Sequence, residues 1–209
     1  MNVIDKLNWR YATKKFDEDQ YIPQQKIELI KEAFNLTATS YGLQPIKLLF
    51  LKDKKIQQEL VQHSMDQEQV AQASHILIFC IETNIDKKYI VDYFERVKAI
   101  RSTPDHILQP FEDFLIDDFK GRSIDYIEDW ATKQAYLAMG NLLTVLAIEH
   151  IDSCPMEGFT PKAWDDILGL TERGLKSVLM MPIGYRADDD MFSDFKKVRK
   201  RVADSTLEL

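Results

Sequence analysis

Basic side chains that could hold a phosphate group occur at two places in the sequence. Arg10 and Lys14 lie four residues apart, so both could donate charge-assisted hydrogen bonds to one phosphate. A second basic cluster runs from Lys196 to Arg201. Taken alone, each group is more typical of a solvated charged surface than of a site. The two groups are compatible with anion binding but do not identify a ligand.

Three further segments carry groups that could contact a ligand. The segment 39–45, Thr-Ser-Tyr-Gly-Leu-Gln-Pro, offers the aliphatic hydroxyls of Thr39 and Ser40 and a glycine, although a helix-to-strand turn needs no ligand. The segment 155–158, Pro-Met-Glu-Gly, could present backbone N–H groups, but proline and glycine are also common in simple turns. The polar run 66–69 is predicted to begin a helix, with Asp66 and Gln69 on one face.

Charge and composition exclude several classes of protein. With 27 basic and 34 acidic residues the chain has a net charge of −7, which disfavours nucleic acids and anionic membranes. The four histidines and two cysteines lack the spacing of a metal site. No serine-hydrolase, dinucleotide-binding or P-loop glycine motif is present. The most apolar window, 135–148, is shorter than the roughly 20 residues of a membrane span, and the first residues do not resemble a signal peptide, so we expect a cytoplasmic protein.

Hydrophobic patterning predicts a single, mainly helical domain over residues 1–209. Three strands are expected at 46–51, 75–81 and 175–185, and the unbroken apolar run of the second predicts burial on both faces. Residues 85–120 are predicted to be helical with interruptions at Pro104 and Pro110. A long helix should begin at Ser123 and end near His150, with its second half enclosed on every side.

Taken in order, five segments resemble the FMN-dependent nitroreductase family of NAD(P)H oxidoreductases, and the resemblance covers almost the whole chain. The segments are 10–16 (R-x-S-x-[RK]-x-F in the family), 40–45 (S-x-x-x-Q-P), 73–75 (A-S-H), 155–158 (P-x-E-G) and 197–199 (K-x-R). The resemblance implies an α+β fold with a central, mostly antiparallel sheet wrapped by helices. It also implies a homodimer with exchanged C-terminal tails and one FMN per subunit in each interface groove.

The resemblance further implies which residues contact the cofactor. They are Arg10, Tyr11, Ala12, Lys14, Thr39, Ser40, Gly42, Asp66, Gln69, Pro155, Met156, Glu157, Gly158, Lys197 and Arg199. The four cations among them would hold the phosphate and ribityl chain, and segment 39–42 would reach in from the partner subunit. Phe111, Phe114 and Phe119 lie where the family has a lid over the substrate, although they fit a helix core equally well. Ala12 replaces the motif serine, and Asp66 replaces an asparagine that is common at the flavin pyrimidine edge.

By this resemblance the flavin performs the chemistry and no side chain is catalytic. NAD(P)H would pass a hydride to flavin N5 and leave, and a nitroaromatic, a quinone or a related acceptor would then take its place in a ping-pong cycle. Two alternatives stay open. Asp66 leaves room for another flavin reaction, such as dehalogenation, ene reduction or flavin fragmentation. The basic C-terminal cluster is also compatible with a helical interaction module that is not an enzyme.

Overall fold

Four antiparallel strands form one sheet, in the order β1-β2-β4-β3, in the computed structural model, which describes residues 2–209. The strands are β1 (Ile46–Leu51), β2 (His75–Glu82), β3 (Asp152–Ser153) and β4 (Leu175–Gly184). Leu77 on β2 lies opposite Met181 on β4, and Ile78 lies opposite Leu49 on β1. The three predicted strands and the antiparallel sheet are confirmed, whereas the two-residue β3 is too short to show a sequence pattern.

Helices cover both faces of the sheet, which is why β2 is an unbroken apolar run. Leu77 and Phe79 point into one core, and Ile76 and Ile78 point into a second core on the opposite face, where Trp164 also packs. All five side chains are at most 1% exposed. The predicted burial of β2 on both faces is therefore confirmed.

The helices described by the structure are α1 (Val3–Trp9), α2 (Gln24–Asn35), α3 (Lys54–Val61), α4 (Gln69–Gln72), α5 (Lys87–Arg101), α6 (Asp105–Lys120), α7 (Ile124–Ile148), α8 (Pro161–Leu168) and α9 (Val202–Ser205). The longest, α7, begins after Ser123, whose side chain accepts a hydrogen bond from the backbone N–H of Tyr126. None of the helices in residues 2–209 is long and apolar enough to cross a membrane.

Helix α6 runs through Pro110, so the predicted interruption there is wrong. The chain breaks between α5 and α6, where Ser102 adopts a left-handed conformation and Pro104 precedes the new helix. Pro110 removes one helical hydrogen bond, but apolar packing of α6 keeps the helix intact. Phe119 is buried at 7% exposure, and its ring lies 5.2 Å from the ring of Trp130, so of the two expected roles it has that of a helix-core residue.

One face of α7 remains exposed in this chain, contrary to the prediction that its second half is enclosed. Ala135, Ala138 and Leu142 are fully buried, whereas Tyr136 and Leu137 are 46% and 54% exposed. The apolar pattern could not distinguish a face covered by the same chain from one available to another molecule.

Candidate functional site

A cationic cleft of about 460 Å³ lies between the N-terminal and C-terminal segments. It is lined by Asn8, Trp9, Arg10, Tyr11, Ala12, Lys14, Pro155, Phe192, Ser193, Phe195, Lys196, Lys197, Val198 and Arg199. Five of these residues are cations and none is acidic, although the chain as a whole is negative. Small-molecule sites usually measure about 300–1,000 Å³, so the cleft is large enough for a ligand. The cleft brings together the two basic groups, which are separated by more than 180 residues in the sequence.

Backbone pairing with the edge of the sheet places the first basic group. Ala12 forms a parallel bridge with Ser153 on β3, and the Thr13 N–H donates to the Ser153 carbonyl at 3.3 Å. The Ala187 N–H then donates to the Lys15 carbonyl at 3.0 Å. Arg10 and Lys14 are therefore carried on an extended segment beside the chain that continues to Pro155.

The cations of the cleft have no acidic partners in the part of the chain that the structure describes. None of the five forms an ion pair with a carboxylate from residues 2–209. Arg10 Nε is buried and makes no hydrogen bond within those residues. Burial, followed by the neighbouring charge of Arg199, lowers the pKa of Arg10, and burial with Arg10 and Arg199 lowers the pKa of Lys197. Cations that repel one another and lack acidic partners would be stabilised by a bound anion.

Two buried carboxylates, Asp152 and Asp190, bind residues next to the cleft. Arg186 binds Asp152 through Nε at 2.9 Å and Nη2 at 2.5 Å, and its guanidinium lies 4.4 Å from the ring of Trp9 and 4.6 Å from that of Tyr11. Asp190 accepts a hydrogen bond from the Tyr11 hydroxyl at 2.8 Å. The sequence interpretation named Tyr11 but missed Asp152, Arg186 and Asp190, because charged side chains of this kind are usually solvated.

Gln69 lies beside the 154–156 segment, as the motif order implies. It is 5% exposed, and its Nε2 donates to Gln67 Oε1 at 3.0 Å and lies 3.9 Å from both Cys154 Sγ and Met156 Sδ. Burial raises the pKa of the Cys154 thiol, although Lys14 and Gln69 oppose that shift. This places Gln69 next to the segment expected at the flavin ring.

Asp66 does not share a helical face with Gln69, and that part of the prediction is wrong. Helix α4 begins only at Gln69, while Met65 and Asp66 form a turn with left-handed φ angles of 55° and 53°. Asp66 is exposed in this turn. The turn is held against Gly158, because the Gln67 amide donates to the Gly158 carbonyl at 3.3 Å.

The 155–158 segment presents backbone donors, as expected. Met156 pairs with Met180 on β4 through N–H···O bonds of 2.8 and 3.1 Å. The N–H groups of Glu157 and Gly158 donate to no other residue within 2–209, which leaves them available to a ligand. A side chain at Gly158 would begin 3.1 Å from Gln67 Nε2 and 3.2 Å from Met65 Sδ, so the ends of these two flexible side chains would have to shift to admit it.

The turn at 39–42 is not part of the cleft in a single chain. The Ser40 N–H donates to Gln134 Oε1 on α7 at 2.9 Å. Gly42 has a φ of +75°, and a side chain there would begin 2.7 Å from the Tyr93 hydroxyl oxygen. Tyr41 instead joins an aromatic cluster with α6, its ring 6.3 Å from that of Phe111. The structure thus groups this turn with the predicted lid region and separates it from the cations.

In that cluster the three predicted lid phenylalanines differ in exposure. Phe111 and Phe114 are 44% and 55% exposed and stack with centroids 6.2 Å apart and planes 11° apart. Phe119 is core, as described above. Only the first two side chains are therefore available to a ligand.

Comparison with known proteins gives a consistent assignment. The model of the Nitroreductase family matches residues 7–185. YfkO of Bacillus subtilis, which carries the provisional name NAD(P)H nitroreductase, is 32% identical over 201 residues, covering 90% of each chain. Among solved structures, the ydfN protein of Bacillus subtilis superposes with a TM-score of 0.87 at 20% identity, covering 99% of this chain and 98% of that one. A protein from Exiguobacterium sibiricum, solved in complex with FMN, superposes with a TM-score of 0.84 at 16% identity, covering 100% and 98%.

Proposed function

The chain belongs to the nitroreductase family of FMN-dependent NAD(P)H oxidoreductases, and from that premise we propose that it reduces nitroaromatics, quinones or related acceptors in a ping-pong cycle. The proposed enzyme is a cytoplasmic homodimer with one FMN per subunit. The family match spans most of the chain, which sets aside the alternative of an interaction module that is not an enzyme.

The cationic cleft is the observation that carries the proposal. FMN ends in a phosphate with a charge of about −1.5 to −2, and such a group needs several unpaired donors. The cleft offers five cations, no carboxylate and a buried Arg10 Nε without a partner among residues 2–209. These residues fit a phosphate, and a bound anion would compensate the burial and the mutual repulsion that lower the pKa of Arg10 and of Lys197.

The remaining residues have roles that follow from their positions. Arg10, Lys14, Lys197 and Arg199 would hold the phosphate and ribityl chain. The free N–H groups of Glu157 and Gly158 would donate to the flavin ring, and the Gln69 amide would face its pyrimidine edge. Bound FMN supplies the hydride chemistry, while the protein orients the cofactor and substrates and excludes water from the covered ring.

Exposed apolar surface supports the homodimer. Tyr136 and Leu137 on α7 are half-exposed, and Leu36 beside them is 82% exposed. The β1 strand lies at the edge of the sheet with open backbone groups next to a groove of about 350 Å³. We propose that the partner's tail, residues 203–209, covers this edge. In such a dimer the partner would also contribute Thr39, Ser40 and Gly42 to each FMN site.

Aromatic residues support flat acceptors as substrates. Phe111 and Phe114 stack on the exposed side of α6 beside Tyr41, which is 42% exposed. Aromatic faces of this kind bind planar rings through offset stacking. We propose that these three side chains face the substrate, while Phe119 anchors them from the core.

Purified protein tests the proposal directly. After removal of any bound flavin, added FMN should bind at one per chain, and NAD(P)H oxidation should require both FMN and a nitroaromatic or quinone. Initial rates at several acceptor concentrations should give parallel double-reciprocal lines. An apo-protein that fails to bind FMN, or NAD(P)H oxidation that is indifferent to FMN, would contradict the proposed function.

A further inference from the structure

We propose that Asp190, which does not line the cationic cleft, is the positioning residue that arranges the cleft to receive a phosphate. The inference rests on the proposed FMN site and concerns how the protein builds it. Asp190 follows β4 in a run of three aspartates, 188–190, of which it alone is buried, at 3% exposure. Its two neighbours are exposed, so burial of this one carboxylate requires a specific cause.

Four hydrogen bonds converge on the Asp190 carboxylate. Oδ2 accepts from the Tyr11 hydroxyl at 2.8 Å, from the Lys14 N–H at 3.0 Å and from the Lys15 N–H at 3.2 Å. Oδ1 accepts from the Phe192 N–H at 3.1 Å. Although burial raises the pKa of Asp190, these four donors outweigh it and the net shift is downward. The carboxylate is therefore ionised and fully bonded inside the protein.

Three of the four donors belong to residues that line the cleft. Tyr11 and Lys14 form its N-terminal wall, and Phe192 begins its C-terminal wall, which continues to Lys197 and Arg199. A single buried carboxylate thus ties together the two segments whose cations must meet at one phosphate. The other direct hydrogen bond between the described residues of the two walls joins the Lys197 ammonium to the Arg10 carbonyl, and just outside the walls the Ala187 N–H donates to the Lys15 carbonyl.

The charge of Asp190 and its hydrogen bonds predict opposite effects on phosphate affinity. A carboxylate behind a cationic cleft repels an anionic ligand, so removing its charge would strengthen FMN binding if charge alone mattered. If Asp190 acts by holding the walls, removing its charge weakens binding of the phosphate. The direction of the change therefore separates the two roles.

Asp190→Asn is the informative variant because it keeps the size of the side chain. An amide has one acceptor oxygen and two N–H donors, so one side of the group must face a backbone N–H that it cannot satisfy, although the Tyr11 hydroxyl can rotate and accept from the amide. Either the Lys14 and Lys15 N–H groups or the Phe192 N–H group loses its partner. The walls are then free to separate.

The experiment compares FMN with riboflavin, which lacks the phosphate. We expect Asp190→Asn to raise the Kd for FMN by about tenfold, the scale of a lost bond to a charged group, and to change the Kd for riboflavin less than about twofold. Asp189→Asn is the matched control, because it removes the same charge from the adjacent residue but disrupts only the exposed pair with Lys15. The control should keep the wild-type Kd for both ligands.

Several results would overturn the inference. Equal weakening of FMN and riboflavin would show that Asp190 has a general structural role, and unchanged or stronger FMN binding would show that it does not position the cleft. If Asp190→Asn does not fold, Tyr11→Phe removes one of the four bonds and should show the same phosphate-selective loss at about two- to threefold. An equal effect of Tyr11→Phe on both ligands would count against the inference. Wild-type protein that binds no FMN would overturn the proposed function, and this inference with it.

Discussion

Replacing Arg10 by alanine should weaken FMN binding without destabilising the apo-protein. Arg10 Nε is buried and has no partner within residues 2–209, and its guanidinium is repelled by Arg199. Loss of one hydrogen bond to a charged group costs about 1.5–3 kcal/mol of binding free energy, or about a 10- to 150-fold rise in Kd. In the apo-protein the substitution leaves none of the described carboxylates without a partner, and it removes the repulsion between Arg10 and Arg199. We therefore expect the free energy of unfolding of the apo-protein to stay within about 0.5 kcal/mol of wild type or to rise.

Flavin fluorescence titration and urea unfolding of the apo-protein measure the two quantities separately. Lys15→Ala is the control, since it removes the same charge from an exposed residue that pairs with Asp189 outside the cleft. The control should change the Kd for FMN less than about twofold, as exposed pairs contribute little. An equal loss of affinity in both variants would mean that only net charge matters. Wild-type affinity in Arg10→Ala would refute the phosphate site.

Three further predictions concern the flavin ring, the tail and pH. Gln69→Lys adds a cation that would stabilise anionic reduced flavin by about 1–2 kcal/mol. The midpoint potential of bound FMN should therefore rise by a few tens of millivolts. A potential that is unchanged or lower would mean that Gln69 is not at the pyrimidine edge. Deletion after Val202 should shift sedimentation at low micromolar concentration toward monomer, because an exchanged tail adds interface, and unchanged sedimentation would count against exchange. Burial, with Lys52 and Lys54, lowers the pKa of His75 from 6.5, so the folded chain favours the neutral ring and stability should fall as pH drops below 6.5. In His75→Gln the free energy of unfolding, measured with urea at several pH values, should fall less as the pH drops. The same pH dependence in the variant and in wild type would contradict this prediction.

Elements with a clear apolar pattern could be predicted from the sequence. β1 was predicted at its observed bounds, 46–51. Errors arose where packing outweighs local preference. Pro110 lies inside α6 because tertiary contacts hold the helix. Tyr136 and Leu137 on α7 are exposed, and the hydrophobic periodicity of a helix does not show whether an apolar face is covered by the same chain or by a partner.

The candidate site could be predicted only in part from the sequence. The family resemblance implied that Arg10, Lys14, Lys197 and Arg199 share one site, and the structure places all four in one cleft; their contact with a phosphate stays a prediction. The turn at Asp66 was missed, since a left-handed conformation of a non-glycine residue leaves no pattern. Asp190 and Arg186 were missed because their contacts with Trp9, Tyr11 and Lys14 join residues more than 100 positions apart in the sequence. The only sequence signal for Asp190 was the run of three aspartates at 188–190, and nothing in that run shows that Asp190 is the buried one.

A crystal structure of the protein loaded with FMN tests the central claim most directly. We predict that a phosphate oxygen lies within about 2.7–3.2 Å of Arg10 Nε or Nη, with Lys14, Lys197 and Arg199 around the same group. The Asp190 carboxylate should remain bonded behind the cleft. A phosphate bound outside the cationic cleft, or a cleft filled by protein side chains in the FMN-loaded structure, would contradict the account.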